Sequence, residues 1–264
     1  MNVTTEVIDG LRIRLSRGGR PDGPPVLFTS PWPESLYSFH RVLPYFADRY
    51  LTIAIDLPGF GLSESRPDVM SPRATGAFLV KVAAYLKLER LYGVGPDVGA
   101  LALLFAAADH PALFTRLAVG GAATRVDLAG PVLKAAIESP KGAFASIDGA
   151  DAVADYLKQA AQVTPRDIID DYRDASAGQR FENAVQYVRA YKEDLPILEQ
   201  RLGQIRTPVL VIAGKNDPIV PPANNQLLAD RLPHSRMVLV DAAHRAWEEA
   251  TDAYSNTILS WFTQ

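Results

Sequence analysis

The sequence predicts an α/β fold, a mostly parallel sheet of eight strands flanked by helices, with a purely helical segment inserted ahead of the last two strands. Three observations lead there. Apolar strand-like runs alternate with helix-like runs from Val26 to Gly121, the alternation lapses between about residues 122 and 203, and it then resumes to the C-terminus. Alternation of this kind implies right-handed crossovers and helices on both faces of a parallel sheet. Strands that are apolar throughout fit burial on both sides. A single α/β domain of 264 residues is ordinary in size.

The elements follow in order. "TEVIDGLRIRLSRGG" reads as two short strands turning at Asp9-Gly10, a strong hairpin dipeptide. "PPVLFTS" is a strand entering a proline-rich turn, "LYSFHRVLPYFAD" a short amphipathic helix, and "YLTIAIDLPGFG" a buried strand followed by a Gly/Pro loop. Ser71 as cap and Pro72 just inside open the helix "SPRATGAFLVKVAAYLKLE". "RLYGVG" is the next strand, "VGALALLFAAADH" the next helix and "LFTRLAVGG" another strand. Between 122 and 203, "DAVADYLKQAAQV", "TPRDIIDDYRDASAG" and "RFENAVQYVRAYKEDLPILEQRLGQI" are helical by pattern, the second opening on Thr164-Pro165 as cap and proline. "PVLVIAG", "ANNQLLADRL", "SRMVLVD" and "AWEEATDAYSNTILSWFTQ" then read as strand, helix, strand and a final helix. Residues 1–121 and 204–264 are expected to form the core domain. Residues 122–203 are expected to form a helical lid over the C-terminal edge of the sheet, where open α/β sheets bind ligands.

Composition narrows the function classes. Hydrophobic residues make up 48% and charged residues 22%, with a net charge of −3 and a pI near 5.8. No basic patch points to nucleic acid. Cysteine is absent, which excludes disulfides and thiolate metal sites. The N-terminal "MNVTTEVIDGLRIRLSRGG" lacks the apolar core of a signal peptide. The longest apolar run, "ALALLFAAA" at Ala100–Ala108, is far short of the roughly 20 residues that span a bilayer. A cytoplasmic protein, monomer or homodimer, without a membrane partner is expected. No dinucleotide fingerprint, Walker loop or metal cluster stands out, so no cofactor and no metal are expected.

The chemistry concentrates at "YGVGPDVGA" (Tyr92–Ala100), between a strand and a buried helix. A sharp strand-turn-helix exposes the middle residue of G-x-nucleophile-x-G on a strained tip, with small flanking residues where strand and helix pass close together. Gly95 and Gly99 are those residues, and the middle one is Asp97. The helix points its N-terminal dipole at an anion there. Asp217 follows the strand "PVLVIAG" in "KNDPIVPP", and His244 follows "MVLVD" in "AAHRAW". Asp217-Pro218 is also an ordinary turn dipeptide, and His244 alone is equally a satisfied surface histidine. Together with Asp97 they stand in the order nucleophile, acid, histidine, with Asp217 orienting His244 as general base. Of the other histidines, His110 and His234 sit away from such strand ends, and only His40 could lie near the site.

"VLFTS", "PWPES", "DLPGFGLSE", the elbow, "GKNDPIVP" and "AAHRAWEE" together resemble the α/β-hydrolase superfamily over nearly the whole chain. An aspartate at the elbow resembles the branch that holds epoxide hydrolases and haloalkane or haloacid dehalogenases. A carboxylate attacking an ester would give a mixed anhydride, too reactive to be a useful intermediate. Displacing a leaving group at an sp³ carbon gives an alkyl-enzyme ester instead. The resemblance implies that His244 then activates water against the Asp97 carbonyl. The oxyanion would be held by the N–H groups of Val98 and of the residue matching H-G-x-P, which is Trp32 in Ser30-Pro31-Trp32-Pro33. Pro31 brings no N–H and Trp32 keeps its own, and the Trp32 ring stands equally as pocket lining or as ordinary packing. Haloalkane dehalogenases usually carry a tryptophan after the nucleophile, where Val98 stands here. Epoxide hydrolases accept an aliphatic residue there and use lid tyrosines to protonate the opening ring. Tyr156, Tyr172, Tyr187 and Tyr191 lie in the expected lid. Tyr187 matches the second lid tyrosine by its position ahead of Asp217, and Tyr156 and Tyr172 are equal candidates for the first. The glycines of "DLPGFGLSES" and the acids of Trp247-Glu248-Glu249 read as structural, the latter suiting a helix N-terminus. The expected function is a hydrolase acting on a small hydrophobic substrate through an aspartyl-alkyl ester, most simply from an epoxide. The alternatives are a dehalogenase and a non-catalytic binder of a small ligand.

Overall fold

Asp9 and Gly10, at φ 49° and 80°, close a hairpin between β1 (Asn2–Ile8) and β2 (Leu11–Gly19) in the computed structural model, which describes residues 1–264. The chain continues through β3 (Pro25–Thr29), α1 (Leu43–Phe46), β4 (Leu51–Ile55), α2 (Pro72–Tyr85), β5 (Leu91–Pro96), α3 (Val98–Asp109) and β6 (Phe114–Gly120). Six helices follow: α4 (Pro131–Glu138), α5 (Gly149–Ala152), α6 (Ala154–Ala160), α7 (Arg166–Ser176), α8 (Arg180–Arg189) and α9 (Tyr191–Leu202). The last stretch holds β7 (Val209–Gly214), α10 (Pro222–Arg231), β8 (Ser235–Val240), α11 (Ala246–Glu249) and α12 (Thr251–Phe262). The eight strands lie in the order β1-β2-β4-β3-β5-β6-β7-β8. β2 pairs antiparallel with β1 and β4, and every other pairing is parallel. This is an α/β-hydrolase fold. No helix is long and apolar enough to cross a membrane.

The order of the strands positions the site. The chain lays β4 on one side of β3, then crosses over to put β5 on the other, so strand order reverses there. At such a switch point the loops leaving neighbouring strands diverge and open a crevice at the strands' carboxyl ends. The loops leaving β3 and β5 carry Trp32 and Asp97.

Local chemistry explains the elements, including three that differ from the sequence reading. Ser71 caps α2, its hydroxyl accepting the Ala74 N–H. The stretch expected as one amphipathic helix, "LYSFHRVLPYFAD", is instead a 3₁₀ turn at Leu36–Phe39, capped by Ser35, followed by the four-residue α1. Pro44 has no N–H to bond back to the preceding turn and sits instead in the first turn of α1, where none is needed. Thr164 does not cap α7, because its hydroxyl donates to Glu248 at 2.9 Å and Pro165 precedes the helix instead. The final helix is two, broken at Ala250 (φ −130°, ψ 45°). The Thr251 hydroxyl donates back to the Trp247 and Glu248 carbonyls at that break.

The sheet separates two apolar layers. On one face α1 and α12 bury Phe46, Ile258 and Phe262 against Phe28 and Val94. On the other, α2, α3 and the α4–α9 segment form one continuous cluster, in which Tyr187, Leu195 and Leu198 join Val98 and Leu101. Helix α3 is buried from Val98 through Ala107, which its unbroken apolar sequence allows. Helix α2 reaches it through Gly76, where an added Cβ would lie 2.8 Å from both the Ala102 carbonyl oxygen and Phe105 Cβ. Gly76→Ala should therefore lower stability by ~1–3 kcal/mol, through overpacking against backbone. Urea unfolding would report this as a lower midpoint at unchanged slope, and an unchanged midpoint would mean that α2 is free to move away.

Candidate active site

Asp97 sits between β5 and α3 at φ 53° and ψ −127°, a conformation that a non-glycine residue holds only when its surroundings force it. The surroundings are close. A Cβ on Gly95 or Gly99 would lie 2.5 or 2.2 Å from Thr29 Oγ1 at the end of β3, so both elbow glycines are needed for this approach. The Asp97 N–H donates to the Gly120 carbonyl at 2.9 Å, which ties the turn to β6. The buried carboxylate then receives the Trp32 N–H on Oδ2 at 2.8 Å, and the Val98 N–H next to it also favours its charged form. Burial pushes its pKa up to about 6, while the charge of His244 and these two N–H donors hold it down and the charge of Glu34 adds to the rise.

His244 and Asp217 meet Asp97 from the ends of β8 and β7. Asp217 Oδ1 accepts the N–H groups of Ile219 and Val220, both at 2.8 Å. Oδ2 lies 2.7 Å from His244 Nδ1. With its lone pairs so occupied, Asp217 has one orientation, and so does the imidazole. His244 Nε2 stands 3.8 Å from Asp97 Oδ1. Burial pulls the imidazole pKa down, but the hydrogen bond and charge of Asp217 outweigh it, Asp97 and Glu34 add to the rise, and the result is about 9. Near neutral pH the pair therefore rests as carboxylate and imidazolium. Loss of the charge on Asp97 would remove one of the groups that hold this proton and would lower the imidazole pKa, so that more of His244 would be neutral near pH 7.

Asp97 and His244 open onto a cavity of about 430 Å³, in which they are the only charged lining residues, while Asp217 lies behind His244. Trp32, Phe144 and Phe181 form an aromatic wall, with centroids 5.1 Å apart for each pair made by Phe181. A larger and more open groove of about 620 Å³ runs between Thr124–Glu138 and Lys192–Glu199, and it contains none of the three. Outside the triad there is also no cluster of three or more acidic or histidine side chains arranged to hold a metal.

The tyrosines do not fall where position along the chain suggests. Tyr187 is fully buried and donates to the Val98 carbonyl at 2.8 Å, its ring packed on Phe60 and Tyr191. Tyr172 donates to Glu248 at 2.7 Å. Neither lines the cavity. Tyr156 does, and its hydroxyl bonds to Glu34 Oε1. The structure thus places Tyr156 at the cavity, and Tyr187 and Tyr172 behind it.

Three residues of this site escaped the sequence reading: Glu34, Arg245 and Glu248. Glu34 is wholly buried just after the Ser30-Pro31-Trp32-Pro33 turn. Its Oε2 accepts Ser38 Oγ at 2.6 Å and Trp247 Nε1 at 2.9 Å. Burial raises its pKa to about 7, with the charge of Glu248 adding, against Arg245 and the hydrogen bonds from Ser38 and Tyr156. Glu248, read from sequence as an acid suiting a helix start, does lie in the first turn of α11 and is in addition buried against Arg245 Nη1 at 2.7 Å, Tyr172 and Thr164. The signal was present in "PWPES" and "HRAWEE": acids set among aromatic and apolar residues, within a turn and a helix start that lie beside the site.

Residues 24–251 match the family model described as the alpha/beta hydrolase fold. Among curated proteins, the chain is 22% identical to 3-oxoadipate enol-lactonase 2 of Acinetobacter baylyi, over 91% of this chain and 89% of that one. Among solved structures, the epoxide hydrolase CorEH superposes with a TM-score of 0.81 at 21% identity, covering 99% of this chain and 98% of that one. The haloalkane dehalogenase DbeA from Bradyrhizobium elkani superposes with a TM-score of 0.81 at 18% identity, covering 99% and 97%. Three different reactions thus share one fold, and the reaction has to be read from the site.

The electrostatics give a direct test. NMR of His244 should show an imidazolium at neutral pH that titrates near pH 9. Asp217→Asn should lower that midpoint by ~1–3 units, since it removes the adjacent negative charge. An unmoved midpoint would place the stabilising charge elsewhere.

Proposed function

The chain belongs to the α/β hydrolase fold family and is a hydrolase, and we propose that it works through an ester on Asp97, opening small apolar epoxides to diols. The observation that carries this reading is the carboxylate at the elbow tip. It accepts the Trp32 N–H beside that of Val98, faces His244 and shares an otherwise apolar cavity with one tyrosine hydroxyl. A carboxylate in that place is suited to displacement at an sp³ carbon, not to acyl transfer.

The steps follow from the placement. The ionised Asp97 attacks an epoxide carbon, and the C–O bond of the ring breaks as Tyr156 protonates the departing oxygen. Water, deprotonated by His244, adds to the ester carbonyl of Asp97. The oxyanion formed there occupies the position that the N–H groups of Trp32 and Val98 already serve in the resting carboxylate, so they need no rearrangement to stabilise it. Collapse of this intermediate expels the diol and restores Asp97. Residues 122–203 act as the lid of this reading, contributing Phe144, Val153, Tyr156 and Phe181 to the cavity wall. The absence of any cationic side chain in the lining other than His244 favours uncharged substrates over carboxylates.

His244→Gln should permit attack but block hydrolysis. After incubation with a panel of epoxides and haloalkanes, intact mass should rise by one whole epoxide, carried on Asp97. A rise by a haloalkane less hydrogen halide would make the protein a dehalogenase. No adduct, with no turnover by the wild type, would leave a binding protein or another substrate class.

Tyr156→Phe should slow ring opening by roughly 10²–10⁴-fold, whereas Tyr187→Phe should change it only a few-fold. Single-turnover rates compare the two, and the reverse ranking would return the acid role to Tyr187.

A further inference from the structure

Glu34 touches the one hydroxyl that the cavity offers. Its surroundings hold too little positive charge for all their acids to ionise. Glu34, Glu248 and Glu249 approach a single guanidinium, Arg245, at 4.0, 2.7 and 3.7 Å. Arg245 lies closest to Glu248, and Glu249 is partly solvated and also accepts the Ala243 N–H. Glu34 is wholly buried with the longest of the three approaches. Its Oε2 is engaged by Ser38 and Trp247, which leaves Oε1 with Tyr156 as its one hydrogen-bond partner and the Arg245 guanidinium 4.0 Å away.

That geometry gives a single proton two settings. If Glu34 is ionised, Oε1 accepts the Tyr156 O–H, and the cavity has no free donor. If Oε1 carries a proton, it donates to Tyr156 Oη, and the Tyr156 proton is released to face the substrate. We propose that Glu34 is the proton reserve for Tyr156, a positioning residue that frees the tyrosine O–H before ring opening and replaces its proton afterwards. This rests on the epoxide reading of the site.

The protons balance. As the ring C–O bond breaks, Tyr156 gives its proton to the leaving oxygen and takes the one on Glu34, which becomes a carboxylate. The resting imidazolium of His244 then re-protonates Glu34 by way of solvent, which leaves His244 neutral as the base for water. Hydrolysis returns Asp97 as carboxylate and His244 as imidazolium, so one epoxide and one water give one diol. The relay thus supplies both the acid of the first step and the neutral base of the second. The groups facing Glu34 are Tyr156, Tyr172, Arg245, Glu248, Asp97 and His244. Burial of Glu34 and the charge of Glu248 set its titration near neutrality, at about 7.

Rapid-quench mass spectrometry of the wild type with styrene oxide reads the rate of adduct formation against pH. Ester formation should fall by about tenfold per pH unit once the pH passes the titration of Glu34. Glu34→Gln keeps the shape of the side chain and, with its amide NH2 toward Tyr156, the hydrogen bonds of the protonated setting, but holds no transferable proton. It should be at least about tenfold slower at pH 7 and lose the alkaline limb. Because Glu34 acts through Tyr156, adding Glu34→Gln to Tyr156→Phe should slow that variant no further. Adduct formation without an alkaline limb in the wild type overturns the relay and leaves the epoxide reading standing, even if Glu34→Gln does not fold. Additive slowing in the double variant also overturns it. No adduct with any epoxide overturns both.

Discussion

The approach of β3 to the turn between β5 and α3 is the constraint on which the site depends. It requires glycine at 95 and 99, forces Asp97 into a positive-φ conformation and brings the Trp32 N–H onto its carboxylate. The same approach follows from strand order, because β3 and β5 are neighbours only through the crossover. A local backbone strain of order 1–3 kcal/mol is thus held by pairings distributed over the sheet. His244 and Asp217 need no comparable strain. They arrive on the two strands beyond β6, fixed by one short hydrogen bond and two backbone N–H groups.

Around this centre the protein buries an unusual amount of charge. Glu34, Glu248 and Arg245 lie beneath the α4–α9 segment, joined to it through Tyr156, Thr164 and Tyr172. A second buried group links Arg14 on β2 to Asp56 and to Asp171 on α7. Ion pairs of this kind are weak sources of net stability, since desolvation offsets much of the attraction. They do fix geometry, because an unpaired member would be costly. Helices α6 and α7 are consequently tied to the core by directional polar bonds as well as by apolar contact.

The fold was legible because its signal is periodic and local. All eight strands, the Asp9-Gly10 turn and the Ser71 cap can be read from short windows of sequence. The elbow could be read for the same reason, its glycines and the apolar helix after it being contiguous. Asp217 and His244 were reachable only through their order along the chain and their places past strand tips, and the structure puts them beside Asp97. What could not be read depends on pairings across the lid. Tyr156 and Glu34 are far apart in sequence, and nothing in a helical pattern says which of four tyrosines faces inward. Thr164 carries a strong local signal, a helix cap, yet its hydroxyl is drawn to Glu248 in the first turn of α11 instead. Tertiary partners overrode propensity where buried polar groups had to be satisfied.

The two sides of the cavity are built differently. Toward α6 and α7 its wall is stapled to the core by buried hydroxyl–carboxylate bonds. Toward α4 it is apolar, and Val132 lines the cavity while remaining 74% exposed. Under the proposed function, a molecule bound for Asp97 would enter past this exposed second side, and substitutions along α4 would alter what is admitted while leaving Asp97, His244 and Tyr156 in place.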